Sequence, residues 1–151
     1  MRFIVRTALG CLLVLVGLVS TSPGRVAAQT DVPKDLQPLQ GTWVTASVDG
    51  QQIPDTNPEV DFVVDGNKYS QVLGSKVIER GEIRVDATKT PATIDFFIKE
   101  GDDANKAQFG IFKIEGAGLT MKLNRPAEPT RPTDFSVQDG FTVFVLTKKP
   151  K

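Results

Sequence analysis

The sequence predicts an all-β, antiparallel domain, and three observations carry that prediction. Between Gly41 and Pro150 no stretch free of both Gly and Pro exceeds nine residues, a length reached only at 82–90, 92–100 and 141–149, so helices of ordinary length have almost no room. The gaps are filled by β-branched and aromatic residues that alternate with polar ones, the period of a half-buried strand. Turn signals interrupt these runs about every 8–12 residues, the spacing of an all-β sandwich or barrel.

The elements follow in order. Residues 29–38 form a lead-in whose Pro33 and Pro38 forbid a long helix, and the domain proper runs over 39–151. The first strand, 42–48, ends at Asp49-Gly50. Strands 60–64 and 68–73 flank Asp65-Gly66-Asn67, a hairpin signal because Gly has no Cβ to clash at positive φ. Residues 76–80 and 82–85 read as one strand bulged at Gly81. Strand 92–99 follows the turn Thr88-Lys89-Thr90-Pro91, and strands 108–114 and 118–123 pair across Glu115-Gly116-Ala117. After a Pro-rich loop, 125–132, come a short run at 134–137 and a last strand, 141–148. Consecutive hairpins imply a meander, and no internal repeat is present.

Alternation also assigns faces. Val60, Phe62 and Val64, then Tyr69, Gln71 and Leu73, then Ile83 and Val85, then Ile94, Phe96 and Ile98, then Leu119, Met121 and Leu123 each share one side of their strand. Opposite them stand Asp61, Lys68, Glu82, Arg84, Asp95, Lys99, Thr120 and Lys122, which belong in water. Phe97 and Phe112 fall on outward faces, where neighbouring exposed aromatics mark a contact site unless Leu36 and Leu39 of the lead-in cover them. The last strand is apolar on both faces, as for a strand with a second element packed outside it.

Charge points to a compartment. Lys plus Arg and Asp plus Glu number 18 each, yet residues 1–28 contain Arg2, Arg6 and Arg25 and no acid, so the rest of the chain is mildly acidic. Arg2 and Arg6 precede an apolar run at 8–19, followed by Ser-Thr-Ser-Pro-Gly: the three-part layout of a secretory signal peptide, with Val26 and Ala28 at a cleavage site before Gln29. That run spans roughly 18 Å as helix, short of the ~30 Å hydrocarbon core, so no permanent membrane span is expected. Cys11 reads as an ordinary apolar residue of the signal. The expected location is secreted or in the periplasm and cell envelope.

The same composition narrows the chemistry. The chain has no His and only one Cys, which excludes Ser-His-Asp and Cys-His nucleophilic catalysis and His-ligated zinc or haem. Asp102-Asp103 with Glu100 and Asn105 lacks the spacing of a Ca²⁺ loop, and Glu79 with Glu82, like Asp95 with Lys99, reads as exposed strand charge. Nucleic acid is not an expected partner, since Arg125, Arg131, Lys148, Lys149 and Lys151 are not interleaved with stacking aromatics. No enzyme activity, metal or cofactor is expected.

Gly41-Thr42-Trp43 opens the first strand and Lys148-Lys149 closes the last. With Leu39-Gln40 before that opening, Asp65-Gly66-Asn67-Lys68-Tyr69, the segment 86–95, Gly110-Ile111-Phe112-Lys113 and Arg131-Pro132-Thr133-Asp134-Phe135, these residues resemble the secreted lipocalin-like domain family typical of planctomycete bacteria. The resemblance covers about 36–149 and departs from the family pattern at Phe112, Ala117 and Lys149. It implies an up-and-down barrel of about eight strands, with Gly41, Trp43 and Lys149 as its structural signature: the Trp plugs the closed end beneath a cation from the last strand. Such a barrel either holds a small apolar ligand or is filled by its own side chains. A ligand would meet Phe62, Tyr69, Gln71, Leu73, Phe96, Ile98, Phe109 and Met121. The functional expectation is therefore an exported, non-catalytic binding protein, either for a small hydrophobic molecule or, as a filled structural or interaction module, for an envelope protein at the Pro-rich loop of the barrel mouth.

Overall fold

In the computed structural model, which describes residues 31–150, a short 3-10 helix, Lys34–Leu39, leads into nine strands. These are β1 (Gly41–Val48), β2 (Gln51–Gln52), β3 (Val60–Asp65), β4 (Lys68–Leu73), β5 (Lys76–Asp86), β6 (Ala92–Glu100), β7 (Ala107–Glu115), β8 (Gly118–Asn124) and β9 (Phe141–Lys148). Every pairing is antiparallel and sequential apart from β2, a two-residue return onto β1. Because β9 also pairs with β1, the sheet closes into an eight-strand up-and-down barrel, the lipocalin-like architecture expected. The signal segment 1–28, including Cys11, lies outside the described residues. Among those residues no helix is long and apolar enough to cross a membrane.

Turn chemistry sets the hairpins where the sequence put them. Gly66, at φ 63°, closes the β3–β4 turn, and β5 runs as one strand with a register shift between Arg80 and Gly81. A Cβ at Gly81 would lie 2.3 Å from the Phe97 carbonyl oxygen and 2.8 Å from the Tyr69 ring, so only Gly admits that ring over the strand. The run at 134–137 is not a strand; it belongs to a long loop described below.

The 3-10 helix caps one end of the barrel. Leu36, Leu39 and Trp43 are buried together, and Trp43 Nε1 donates to the Leu39 carbonyl at 2.8 Å. Gln40 ties this plug to the β3–β4 turn: its Oε1 accepts from Gly66 N at 2.8 Å and its Nε2 donates to Gly66 O at 2.9 Å. The cation above Trp43 is Lys148, not Lys149. The register opposes Trp43 to Lys148, so both side chains share a face, and Lys148 Nζ sits 4.2 Å from the ring centroid while donating to Gln40 O. Lys149, one residue on, points the other way to Glu59 (2.9 Å) and Asp61 (3.3 Å). Accordingly, Lys148→Met is expected to lower stability by about 0.5–2 kcal/mol in urea unfolding. Lys149→Met should cost less, and its effect should fade with added salt.

Outside the barrel, residues 125–140 form a strap rather than a free loop at the mouth. Arg131 Nη1 donates to Gly110 O at 2.6 Å and to Ile94 O at 3.3 Å, Nη2 lies 2.6 Å from Asp95 Oδ1, and the guanidinium stacks 5.4 Å from the Phe109 ring. Lys113 Nζ approaches the Phe135 ring at 5.4 Å. The strap also reassigns two residues. Lys122, expected in water, is only 1% exposed beneath it, reaching Asp134 at 3.3 Å, Gln138 at 3.4 Å and the Phe141 ring at 5.1 Å. Phe109, expected inside, stands opposite outward-facing Asp95 and is covered by Arg131. In β7 the inward set is Gly110, Phe112 and Ile114, which face Leu123, Met121 and Leu119 across the ladder. Phe112 is therefore 7% exposed in the core at the plugged end, not an outward aromatic beside Phe97, whose own ring is covered by Arg84 at 4.7 Å.

Candidate functional site

The plug defines one end of the barrel as closed, and the loops at 49–59, 74–75 and 101–106 rim the other. Of the eight predicted ligand-lining residues, Phe62, Gln71, Phe96 and Met121 converge on one interior void, joined by Thr45, Val60, Leu123, Phe144 and Leu146. Ile98 and Tyr69 are buried on the same inner face without reaching that void. Leu73 is 41% exposed at the tip of the β4–β5 hairpin, beyond the point where neighbouring strands cover it, and Phe109 lies outside under the strap. The void measures about 40 Å³. That is room for one or two water molecules and far below the ~300–1,000 Å³ of pockets that enclose drug-sized ligands.

Toward the mouth the inner wall becomes polar. Tyr69 and Gln71 project inward from β4, and across the β4–β5 ladder Gln71 opposes Glu79, which shares their face. Tyr69 OH donates to Glu79 Oε1 at 2.8 Å, and Gln71 Nε2 donates to the same oxygen at 3.1 Å. Behind them Tyr69, Phe62 and Phe96 form an aromatic trio, with centroids 4.9 Å apart for the edge-on Tyr69–Phe96 pair and 5.8–5.9 Å for the others. Gly101 of the β6–β7 loop closes over Glu79, where a Cβ would meet Ile78 O at 2.8 Å. Glu79 is thus an inward, half-buried carboxylate and not the exposed strand charge expected. Glu79 shares the inner face with Gly81, Ile83 and Val85, an alternation that is readable in the sequence.

This burial perturbs the acid. Loss of water raises the Glu79 carboxyl above its ordinary value of 4.5, the Tyr69 hydrogen bond opposes the rise, and the nearby Asp103 charge adds to it. The Tyr69 hydroxyl is raised as well, by burial first and then by its bond to, and the charge of, Glu79. Since the folded chain holds the Glu79 proton more tightly than the unfolded chain does, this residue's contribution to stability falls as pH rises from 4.5 through the raised value. Glu79→Gln keeps an acceptor for Tyr69 and removes the charge. Its melting temperature should exceed that of the parent at neutral pH, and the difference should close below pH 4.5.

Elsewhere, Asp103 is held by Lys106 at 2.7 Å, and among the described residues no three His, Cys, Asp or Glu side chains converge to hold a metal ion. A second surface feature lies at the plugged end: an open apolar groove of about 620 Å³ along Pro38, Pro91, Ala92, Phe112, Ile114 and Phe135, flanked by Lys34, Asp35 and Lys113. In comparisons with protein-family models, curated proteins and solved structures, nothing matches this chain.

Proposed function

We propose that the protein is an exported, non-catalytic binding protein of lipocalin-like type that engages its ligand at the mouth of a nearly filled barrel. The observation that carries this reading is the 40 Å³ void, too small for a lipid tail, set beside the inward group Tyr69, Gln71 and Glu79. Export is supported by the basic, apolar and cleavable order of residues 1–28, and kinship with the lipocalin-like domain family by the segments spread over 36–149. A chain without His offers no imidazole base, which favours binding over catalysis. The apolar groove at the plugged end favours a second reading, an interaction module of the envelope that contacts another protein there. Titration with an environment-sensitive fatty-acid probe separates deep from shallow binding. Flat fluorescence is expected. A saturable, blue-shifted rise would return the barrel to the role of an apolar carrier and sink the mouth reading.

A further inference from the structure

We propose that Asp139-Gly140, where the strap enters β9, is a site of spontaneous covalent modification: the chain closes there to a cyclic imide, reopens as isoaspartate and so loosens the strap over Lys122. The reaction needs a carboxyl group, a following amide nitrogen with no side chain crowding it, and a backbone free to bring the two together. The Gly140 nitrogen attacks the Asp139 side-chain carboxyl carbon. An N–C bond forms, and the carboxyl hydroxyl leaves with the nitrogen's proton as water. Water then adds to one carbonyl of the ring. Opening at the side-chain carbonyl restores aspartate, whereas opening at the main-chain carbonyl leaves the chain running through the side-chain carbon.

Asp-Gly occurs three times, at 49–50, 65–66 and 139–140, so the dipeptide alone does not select the last. The fold does. At 65–66 the nucleophile is engaged: Gly66 N donates to Gln40 Oε1 at 2.8 Å and Gly66 O accepts from Gln40 Nε2 at 2.9 Å, which clamps that residue on both sides. At 49–50 the electrophile is held. Asp49 Oδ1 accepts from Val143 N at 2.8 Å and Asp49 N donates to Val143 O at 2.8 Å, so carboxylate and backbone are both tied to β9. At 139–140 neither group is held. Among the described residues the Asp139 side chain makes no hydrogen bond or ion pair, and the Gly140 nitrogen donates to nothing. Both residues are exposed and line an open crevice of about 540 Å³. Gly140 sits at φ 86° with no atom within 4 Å of where a Cβ would lie, and the turn is closed by a long bond, Phe141 N to Gln138 O at 3.3 Å. The extra backbone carbon of isoaspartate falls between Gln138 and Phe141, two of the groups that hold the buried Lys122 ammonium.

The purified protein is held warm in mildly acidic buffer, folded in one arm and in guanidinium chloride in the other. Peptides covering the three dipeptides are then sequenced by electron-transfer fragmentation, which separates isoaspartate from aspartate. In the folded arm, an imide one water lighter and then isoaspartate should accumulate at Asp139 several-fold faster than at Asp49 or Asp65. Denaturant should bring the three rates together, since it releases the bonds that protect the other two. Asp139→Glu, which needs a larger and slower ring, should remove the product from the folded chain. Against that variant, the aged parent should show faster hydrogen exchange within 125–140. Equal rates at the three sites in the folded protein overturn the assignment, and so does a preference for Asp139 that persists in denaturant. Isoaspartate that leaves exchange in the strap unchanged overturns the link to Lys122.

Discussion

Trp43→Ala is expected to cost about 3–5 kcal/mol, the range for deleting a buried large aromatic side chain, and so to consume much of a small domain's ~5–15 kcal/mol of stability. The ring is 2% exposed and sits where the 3-10 helix, β1 and β9 meet. Its removal empties the plug and takes the donor from the Leu39 carbonyl. It also leaves the Lys148 ammonium above a hole instead of a ring. Urea unfolding should therefore show a much lower midpoint. Trp43→Phe, which keeps an aromatic face for Lys148 and loses the indole N–H, should fall between the two. A parent-like midpoint for Trp43→Ala would mean that the plug does not hold the barrel's end.

Arg131→Ala is expected to cost about 2–3 kcal/mol, because one guanidinium supplies bonds to two barrel carbonyls and the ion contact to Asp95. Asp95 Oδ1 is buried and accepts no well-aligned hydrogen bond, so the substitution strands a carboxylate without its cation. The loss should be local first. With Arg131 gone the strap retains Lys122–Asp134 and Lys113–Phe135, of which the former joins a buried ammonium to an exposed carboxylate. Limited proteolysis should then cut within 125–140 in the variant while the parent resists, and hydrogen exchange should speed up at Phe109 and Ile111. If the variant loses stability with no change in cutting pattern, Arg131 supports the barrel and not the strap.

The strands were legible because each pairs with its neighbour in sequence, so hydrophobic alternation and turn residues carry nearly all the topology. What alternation could not carry was the second layer. In β7, Phe109 and Ile111 on one side and Phe112 and Ile114 on the other give apolar residues to both faces, and only the strap decides which face is outer. The same strap buries Lys122, whose charge argued for water. Its residues 134–137 carry strand-like Phe and Val but bind the barrel by side chains instead of a ladder. At the candidate site, Phe62, Gln71, Phe96 and Met121 follow from parity, whereas the charge of Glu79 argues for water against a parity it shares with Ile83. The choice of Lys148 over Lys149 is open to parity as well, since Phe144, Leu146 and Lys148 lie on one side of β9.

The pairing of β1 with β9 gives the barrel a history as well as a shape. Gln40 and Lys148, bonded at the seal, are 108 residues apart in the chain, so the first strand made waits for the last before either has its second neighbour. A contact of such long range is entropically late and makes folding slow, on the millisecond-to-second scale of barrels rich in non-local pairs. During that interval β1 and β8 each present a bare edge with unpaired backbone groups, ready to accept any extended segment nearby. The eight residues of β9 remove both edges in a single event. A chain cut short before Phe141 keeps them permanently, and its fate is then aggregation and not a smaller barrel.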